Sequence, residues 1–249
     1  MTGRVTGLWR HPIKSHGREA LDHVRLSAGA TMPWDRTWAV AHDAARIDGA
    51  EWAPCANFSI GSKAPGLMAI NATLDEATET LTLTHPDLPD LTFRPEADPQ
   101  ALIDWTKPLM PEDRAHSTRI VRVPGRGMTD TDFPSVSIGN MASHRVIEAR
   151  LDRRLSEKRW RANIWFDGMP PWEEGDWIDR TVRIGSAEIA VREPVVRCRA
   201  TTANPDTGKR DADTLSVLNE GREFCVYGEV VTSGDIHLGD PIEVLSIWN

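Results

Sequence analysis

One cysteine, Cys198, stands between two arginines in the stretch Glu193-Pro-Val-Val-Arg-Cys-Arg-Ala-Thr-Thr-Ala-Asn-Pro-Asp-Thr-Gly208. A guanidinium beside a thiol stabilises the thiolate, the form that attacks electrophiles and ligates soft metals. The competing reading is inert: free cysteine is among the most buried residue types and often serves as a small hydrophobe. Other side chains with chemical potential lie far away in sequence. His11-Pro-Ile-Lys-Ser-His-Gly17 reads as a loop, because proline blocks a helix and glycine permits a tight reversal. That loop presents the ammonium of Lys14 and the hydroxyl of Ser15. In Asp35-Arg-Thr-Trp38, Arg36 either pairs with Asp35 at the surface or points into a site. A third basic group, Arg150, Arg153, Arg154, Lys158, Arg159 and Arg161, suggests an anionic ligand, although such a run is more often a solvated face.

The elements that must position these groups are mostly short strands. Val5–Trp9, Val24–Leu26, Thr37–Ala41 and Leu81–Leu83 have β-branched or alternating character. Residues 84–116 carry six X-Pro steps, each holding the preceding residue extended. They read as an irregular connector with one short helix near Ala101–Trp105. Further strands are predicted at Thr118–Val123, before Ile138, at Ala162–Phe166, Thr181–Ile184, Glu188–Val191 and Tyr227–Val231, with a last one ending at Val244. Between Ile138 and Ala162, Asn140 or Ser143 can cap a helix running to about Ser156, its buried stripe being Ile147, Leu151 and Leu155. Asn204-Pro-Asp-Thr-Gly208 is a turn signal. The fold class expected is α+β and β-rich, a β-barrel or mixed core with one long helix.

Bulk properties exclude several classes. The chain has 249 residues and a net charge of −8, so it has no global attraction to nucleic acid or anionic membranes. No apolar run approaches transmembrane length and no signal-peptide core is visible, which points to the cytoplasm. Three widely separated cysteines, Cys55, Cys198 and Cys225, argue against a disulfide framework and are too few for an all-cysteine iron–sulfur cluster. No His-Glu-x-x-His, Gly-x-Gly-x-x-Gly or Walker motif occurs. A metal brought inside an organic cofactor, with a single protein ligand, remains open.

Four segments in order resemble the MOSC family, named for the C-terminal domain of molybdenum cofactor sulfurase. His11-Pro-Ile-Lys-Ser15 and Trp34-Asp-Arg-Thr-Trp38 resemble the family's N-terminal β-barrel domain. Arg161-Ala-Asn-Ile-Trp-Phe-Asp-Gly168 and Val196-Arg-Cys-Arg-Ala-Thr-Thr-Ala-Asn-Pro-Asp-Thr-Gly208 resemble two segments of the MOSC domain. The resemblance implies an N-terminal barrel-like domain over residues 1–100, with its connector to about 116, packed on a MOSC domain over 117–249. It is similar to the mitochondrial amidoxime-reducing components and their bacterial counterparts, which implies a molybdenum cofactor (molybdopterin) with its metal held by Cys198. Lys14, Ser15, Arg36, Ser137, Arg161, Asn163 and Arg197 become the implied cofactor contacts, basic groups suiting a phosphate by charge-assisted hydrogen bonds. The implied activity is reduction of small N-hydroxylated or other N- or S-oxygenated molecules, with electrons from a separate iron–sulfur or flavin protein. The alternatives are a sulfur carrier using a Cys198 persulfide supplied by a sulfur donor, or a cofactor-storage module. Neither a pyridoxal phosphate site nor an iron–sulfur cluster is expected in the chain, nor a nucleic-acid or membrane partner. Val195 stands where the family signature has its first cysteine, so a dithiol mechanism using that pair is ruled out. Ala162 replaces a proline, and Pro33-Trp34 precedes Asp35 where glycine is common; both imply an altered substrate pocket.

Overall fold

A computed structural model of the chain describes residues 2–219 and 221–247, with side chains to residue 245. Its first strand, β1 (Gly3–Arg10), is a stave of a barrel otherwise built from residues beyond 135. Those staves are β9 (Val136–Asn140), β10 (Ile164–Asp167), β11 (Arg180–Ile184), β12 (Ala187–Val196), β13 (Glu223–Thr232) and β15 (Pro241–Ile247). The hydrogen-bonded order β10-β9-β13-β12-β11-β15-β1 closes through β1 against β10, giving a seven-stranded barrel. Closure removes the free sheet edges that would otherwise invite pairing with other chains. β2 (Glu19–Leu21) pairs outside it, against the end of β1.

Alternation explains the staves: Val5, Ile138, Ile164, Phe166, Val182, Ile189, Val226 and Val230 all point into one buried core. Each such side chain fully removed from water stabilises the fold by about 1.5–3 kcal/mol. The only parallel pair among the described strands, β9 with β10, is joined by α2 (Met141–Arg150), as a parallel connection requires a crossover. Asn140 is the N-cap, its side chain accepting the Ala142 N–H at 2.8 Å. The helix ends at Arg150 rather than near Ser156 because Asp152 takes a left-handed φ of 47°. Leu155 still packs beside Ile147, in a smaller cluster with Trp160 and Trp165, but from the segment after the helix.

The first half forms a second core. β4 (Trp38–His42) pairs with β8 (Ser117–Arg122), and β5 (Asn71–Asp75), β6 (Thr80–His85) and β7 (Leu88–Phe93) make a three-stranded sheet. Ile13, Trp38, Leu67, Leu81, Phe93 and Leu102 pack together here, the last from α1 (Pro99–Thr106). The segment read as an irregular connector therefore contains an edge strand as well as the expected helix. Pro89 is tolerated in β7 because an edge position needs no N–H on its outer side. A small ladder of β3 (His23–Leu26) with β14 (Gly234–His237) flanks the barrel. Among the described residues no helix is long and apolar enough to cross a membrane.

Candidate functional site

β12 ends at Val196 and β13 begins at Glu223, and the chain between them carries Cys198 away from the barrel. Strand alternation persists through this exit: Val195 and Arg197 are buried, whereas Val196 and Cys198 are exposed. Cys198 then leads into a 3-10 turn, Arg199–Thr202, and its carbonyl accepts from the Thr201 hydroxyl at 3.0 Å. The predicted turn follows. Gly208 adopts φ 68° and its N–H reaches the Asn204 carbonyl at 2.8 Å. A β-carbon at Gly208 would stand 2.7 Å from the Cα of Gly66, so the turn packs directly on the first half of the chain. Arg18, itself buried, ties the two halves by donating to Met68 O and Pro205 O at 2.7 Å each.

The result is a cleft of about 310 Å³ between the barrel mouth and residues 14–68. Lys14, Ser15, Arg36, Ser137, Arg161, Arg197 and Cys198 all line it. Asn163 does not reach the lining and lies beneath it. Its Oδ1 accepts the Ser137 hydroxyl at 2.9 Å and the Ser137 N–H at 3.1 Å, while its Nδ2 donates to Trp9 O at 3.1 Å. It therefore fixes Ser137 and joins β9 to β1. A larger cavity of about 480 Å³ behind Pro194 is walled by Trp172, Ile178, Phe224 and Val226 and holds none of these residues.

The cations are held in different ways. Lys14 Nζ donates to Met128 O at 2.8 Å and pairs with the Asp130 carboxylate. Arg36 pairs with buried Asp35 and donates to Arg161 O at 3.0 Å. Asp35 in turn accepts the His11 N–H at 2.7 Å. Burial opposes the charge on Asp35, but Arg36 and His11 outweigh it and hold the carboxyl well below its usual range. The loop segment 127–128 closes over this pair, and only glycine fits at 127, where a β-carbon would lie 2.1 Å from Asp35 O. Arg161 donates to Gly17 O at 3.0 Å. Burial first, and then the neighbouring charge of Arg36, depress its pKa to about 9. Arg197 faces inward, with Nε on Phe224 O at 2.8 Å and Nη1 on Trp160 O at 2.7 Å, its guanidinium over both rings. Of the two arginines flanking the cysteine, only Arg199 shares its exposed face.

Strain marks the same place. Ser15, Arg36 and Arg161 have φ of 62°, 53° and 54°, a left-handed conformation that costs a non-glycine residue about 1–2 kcal/mol. Such strain gathers where function fixes the backbone. Two buried donors on the lining, Arg161 Nη2 and Arg197 Nη2, have no hydrogen-bond partner. Unsatisfied buried donors cost about 1–3 kcal/mol each, so an anion supplying acceptor oxygens here would offset a standing penalty.

Sequence reasoning missed Cys55, Asp130, Arg159 and Tyr227 as cleft residues. Asp130 was visible only as one acid in Thr129-Asp-Thr-Asp132, and Arg159 only as a member of a basic run. Arg159 is buried and donates to Thr201 O at 3.0 Å, supporting the turn after Cys198. Tyr227 keeps its phenolic proton, because burial and then the charge of Asp130 raise its pKa. Among the described residues no three His, Cys, Asp or Glu side chains converge as a metal cage. A metal seated here would have to come with its own ligands.

The barrel mouth and the first half of the chain thus bring two exposed thiols, Cys55 and Cys198, into one cleft with arginines and a lysine. Residues 2–134 match the MOSC N-terminal beta barrel domain and residues 129–243 the MOSC domain, so the chain belongs to this family. It is 24% identical to mitochondrial amidoxime-reducing component 1 of Mus musculus, over 98% of this chain and 82% of that protein. It is 29% identical to mitochondrial amidoxime reducing component 2 of Homo sapiens, over 45% of this chain but 37% of that protein. It is 30% identical to molybdenum cofactor sulfurase 2 of Culex quinquefasciatus, over 35% of this chain and only 13% of that protein.

Proposed function

We propose that the chain is a molybdenum-cofactor-dependent reductase of small N-hydroxylated or other N- or S-oxygenated compounds. The observation that carries this reading is an exposed thiol on the barrel side of the cleft, Cys198, facing a second exposed thiol, Cys55, among cations drawn from both halves of the chain, two of whose buried N–H donors have no partner. The fit to the cofactor is chemical: a thiolate suits a soft, redox-active metal, and guanidinium groups suit a phosphate. Cys198 would hold the metal, while Arg36, Arg161 and Arg197 would hold the anionic tail. Lys14 and Arg36, with their charges already paired to Asp130 and Asp35, would contribute less net attraction than Arg161 and Arg197. When bound, the cofactor supplies two-electron redox chemistry and a place to accept oxygen.

The remaining work falls to the chain. Reduction of an N–OH group consumes two electrons and two protons, breaks the N–O bond and releases water. Tyr227, which keeps its proton, can donate a hydrogen bond to the departing oxygen. Asp130, held ionised by Lys14, Arg36 and Arg161 against the burial that opposes it, can orient the amino group of an amidoxime-like substrate. Ser15 and Ser137 offer further hydroxyls at the walls. The names of the relatives support the reaction class, and the family supports the cofactor.

Metal analysis with pterin fluorescence on protein purified from cells rich in the cofactor tests the reading. Stoichiometric molybdenum, lost in Cys198→Ala, is the expected result. Protein that carries neither metal nor pterin overturns it, and a stable persulfide on Cys198 without pterin would replace it with sulfur transfer.

A further inference from the structure

Immediately outside the cleft lies an open groove of about 670 Å³ lined by Arg199, Arg210 and Arg222, with Thr202 and Leu215 at its floor and walls. Arg210 is already engaged, bonding Arg199 O at 2.6 Å, Thr202 Oγ1 at 2.7 Å and, from the first half of the chain, Ser62 O at 2.9 Å. Arg199 and Arg222 are exposed and make no ion pair among the described residues, and the same is true of neighbouring Lys209 and Lys63. The groove's acids do not cancel them. Asp211 is taken by Arg153 and Arg159, each at 3.3 Å, and by Asn204 at 3.0 Å, leaving exposed Asp213 alone. Unpaired cations that crowd one another this way repel, and burial together with Arg199 lowers the pKa of Arg210. At the edge of this ring Val196 is 65% exposed, the most exposed large apolar side chain among those described, two residues from Cys198.

An apolar spot with unpaired cations on one side, and Glu193 and Glu223 on the other, is the anatomy of an electrostatically guided protein interface, in which rim charges set encounter and register. The placement is unexpected in a chain of net charge −8, whose overall field would repel an acidic partner. A local cationic collar is what overcomes that repulsion at one point. We propose that this groove, with Arg199, Arg210 and Arg222 on its lining, Lys209 next to it in the chain and Val196 at its side toward the cleft, docks an acidic electron-carrier protein so that its redox centre faces the Cys198 cleft. This rests on the reductase reading for its purpose, but not for its measurement. The electrons delivered, two per substrate, are those consumed in breaking the N–O bond. Any electron carrier must approach closely to exchange electrons, and Val196 and Cys198 are among the exposed residues of the cleft lining. A small anion would satisfy the arginines but would leave the exposed valine uncovered.

The test uses the full chain and an acidic [2Fe–2S] ferredoxin as the probe. Binding is measured by surface plasmon resonance at low and high salt, for the unaltered chain, for Lys209→Glu/Arg222→Glu, and for a control, Arg94→Glu/Arg180→Glu, which changes two exposed cations outside the groove. The expected result is salt-sensitive binding that the groove variant weakens roughly tenfold or more and the control leaves within a factor of two. Equal weakening in both variants, no binding by the unaltered chain, or equally tight groove-dependent binding of short single-stranded DNA overturns the proposal. Turnover separates the two readings: the groove variant should lose ferredoxin-driven activity while keeping activity driven by reduced methyl viologen. If binding behaves as expected and neither donor supports turnover, the reductase reading falls and the docking surface stands.

Discussion

Replacing Asp35 with asparagine removes one negative charge from the floor of the cleft and little else. The carboxylate is 1% exposed and pairs with Arg36, itself buried. Removing one partner of a buried pair costs about 3–5 kcal/mol, because the other charge is left uncompensated. The asparagine carbonyl can still accept the His11 N–H now bound at 2.7 Å, and Arg36 keeps its bond to Arg161 O at 3.0 Å. The loss should therefore fall at the lower end, about 3 kcal/mol. For a chain of this size that corresponds to a fall in Tm of roughly 6–12 °C. Urea unfolding followed by tryptophan fluorescence measures it directly. Asp113→Asn, at an exposed pair with Arg114 3.6 Å away, should lose less than about 1 kcal/mol. The double variant Asp35→Asn/Arg36→Gln should recover part of the loss, since no buried charge then stands alone. A loss below about 1 kcal/mol in Asp35→Asn would refute the reasoning, for the pair would then be behaving as if it were in water.

Acid should destabilise the fold earlier than its carboxylates alone would require. Burial lowers the pKa of His11 to about 3 and of His16 to about 4, against an ordinary 6.5. The unfolded chain takes up these protons as pH falls through 6.5 and the folded chain does not, so stability declines from about pH 6.5 toward pH 4. Urea midpoints at pH 7.5, 6 and 5 should show this slope, and His16→Asn should flatten it. Cys198→Ala should leave Tm unchanged while abolishing molybdenum retention. Cys225→Ala should keep the metal but lose about 1 kcal/mol, since that thiol is buried, its pKa pushed up to about 12 by burial, and it packs against Gly139. Gly208→Ala should cost about 1–3 kcal/mol by forcing the turn off Gly66, read as a lower thermal midpoint with slower binding of any cleft ligand.

The sequence made the barrel staves legible because burial writes a two-residue period into them, as in β1 and β11. β2 and β14 were not legible: β2 has three residues, too few for a period to emerge, and β14 lies in a Gly- and Asp-containing stretch that reads as a turn. β7 was hidden by its own proline and acid, which its edge position excuses. In the cleft, only Cys198 between its arginines was marked by its own neighbours, whereas Lys14, Ser15, Arg36, Ser137, Arg161 and Arg197 came from the resemblance of their segments to the family. Asp130, Tyr227 and Cys55 have no such local mark, and only the packing of one half of the chain on the other brings them to the lining. The direction of Arg197 was also not readable, because a side chain's face depends on where a strand ends. β12 runs five residues further, to Val196, than the Glu188–Val191 strand predicted from its apolar run.

The stave contributed by residues 3–10 has a consequence for how the molecule is made. Its end can pair early with β2, but its barrel partners, β10 and β15, begin at residues 164 and 241, so during synthesis the rest of the strand waits for most of the polypeptide to emerge. Contacts of that sequence span form slowly and leave an open edge exposed in the meantime. A cut between the two lobes would also strand β1 on the wrong fragment, leaving one piece with an orphan ribbon and the other with a gap in its wall. The cleft, built where these pieces meet, would be among the last features of the molecule to form.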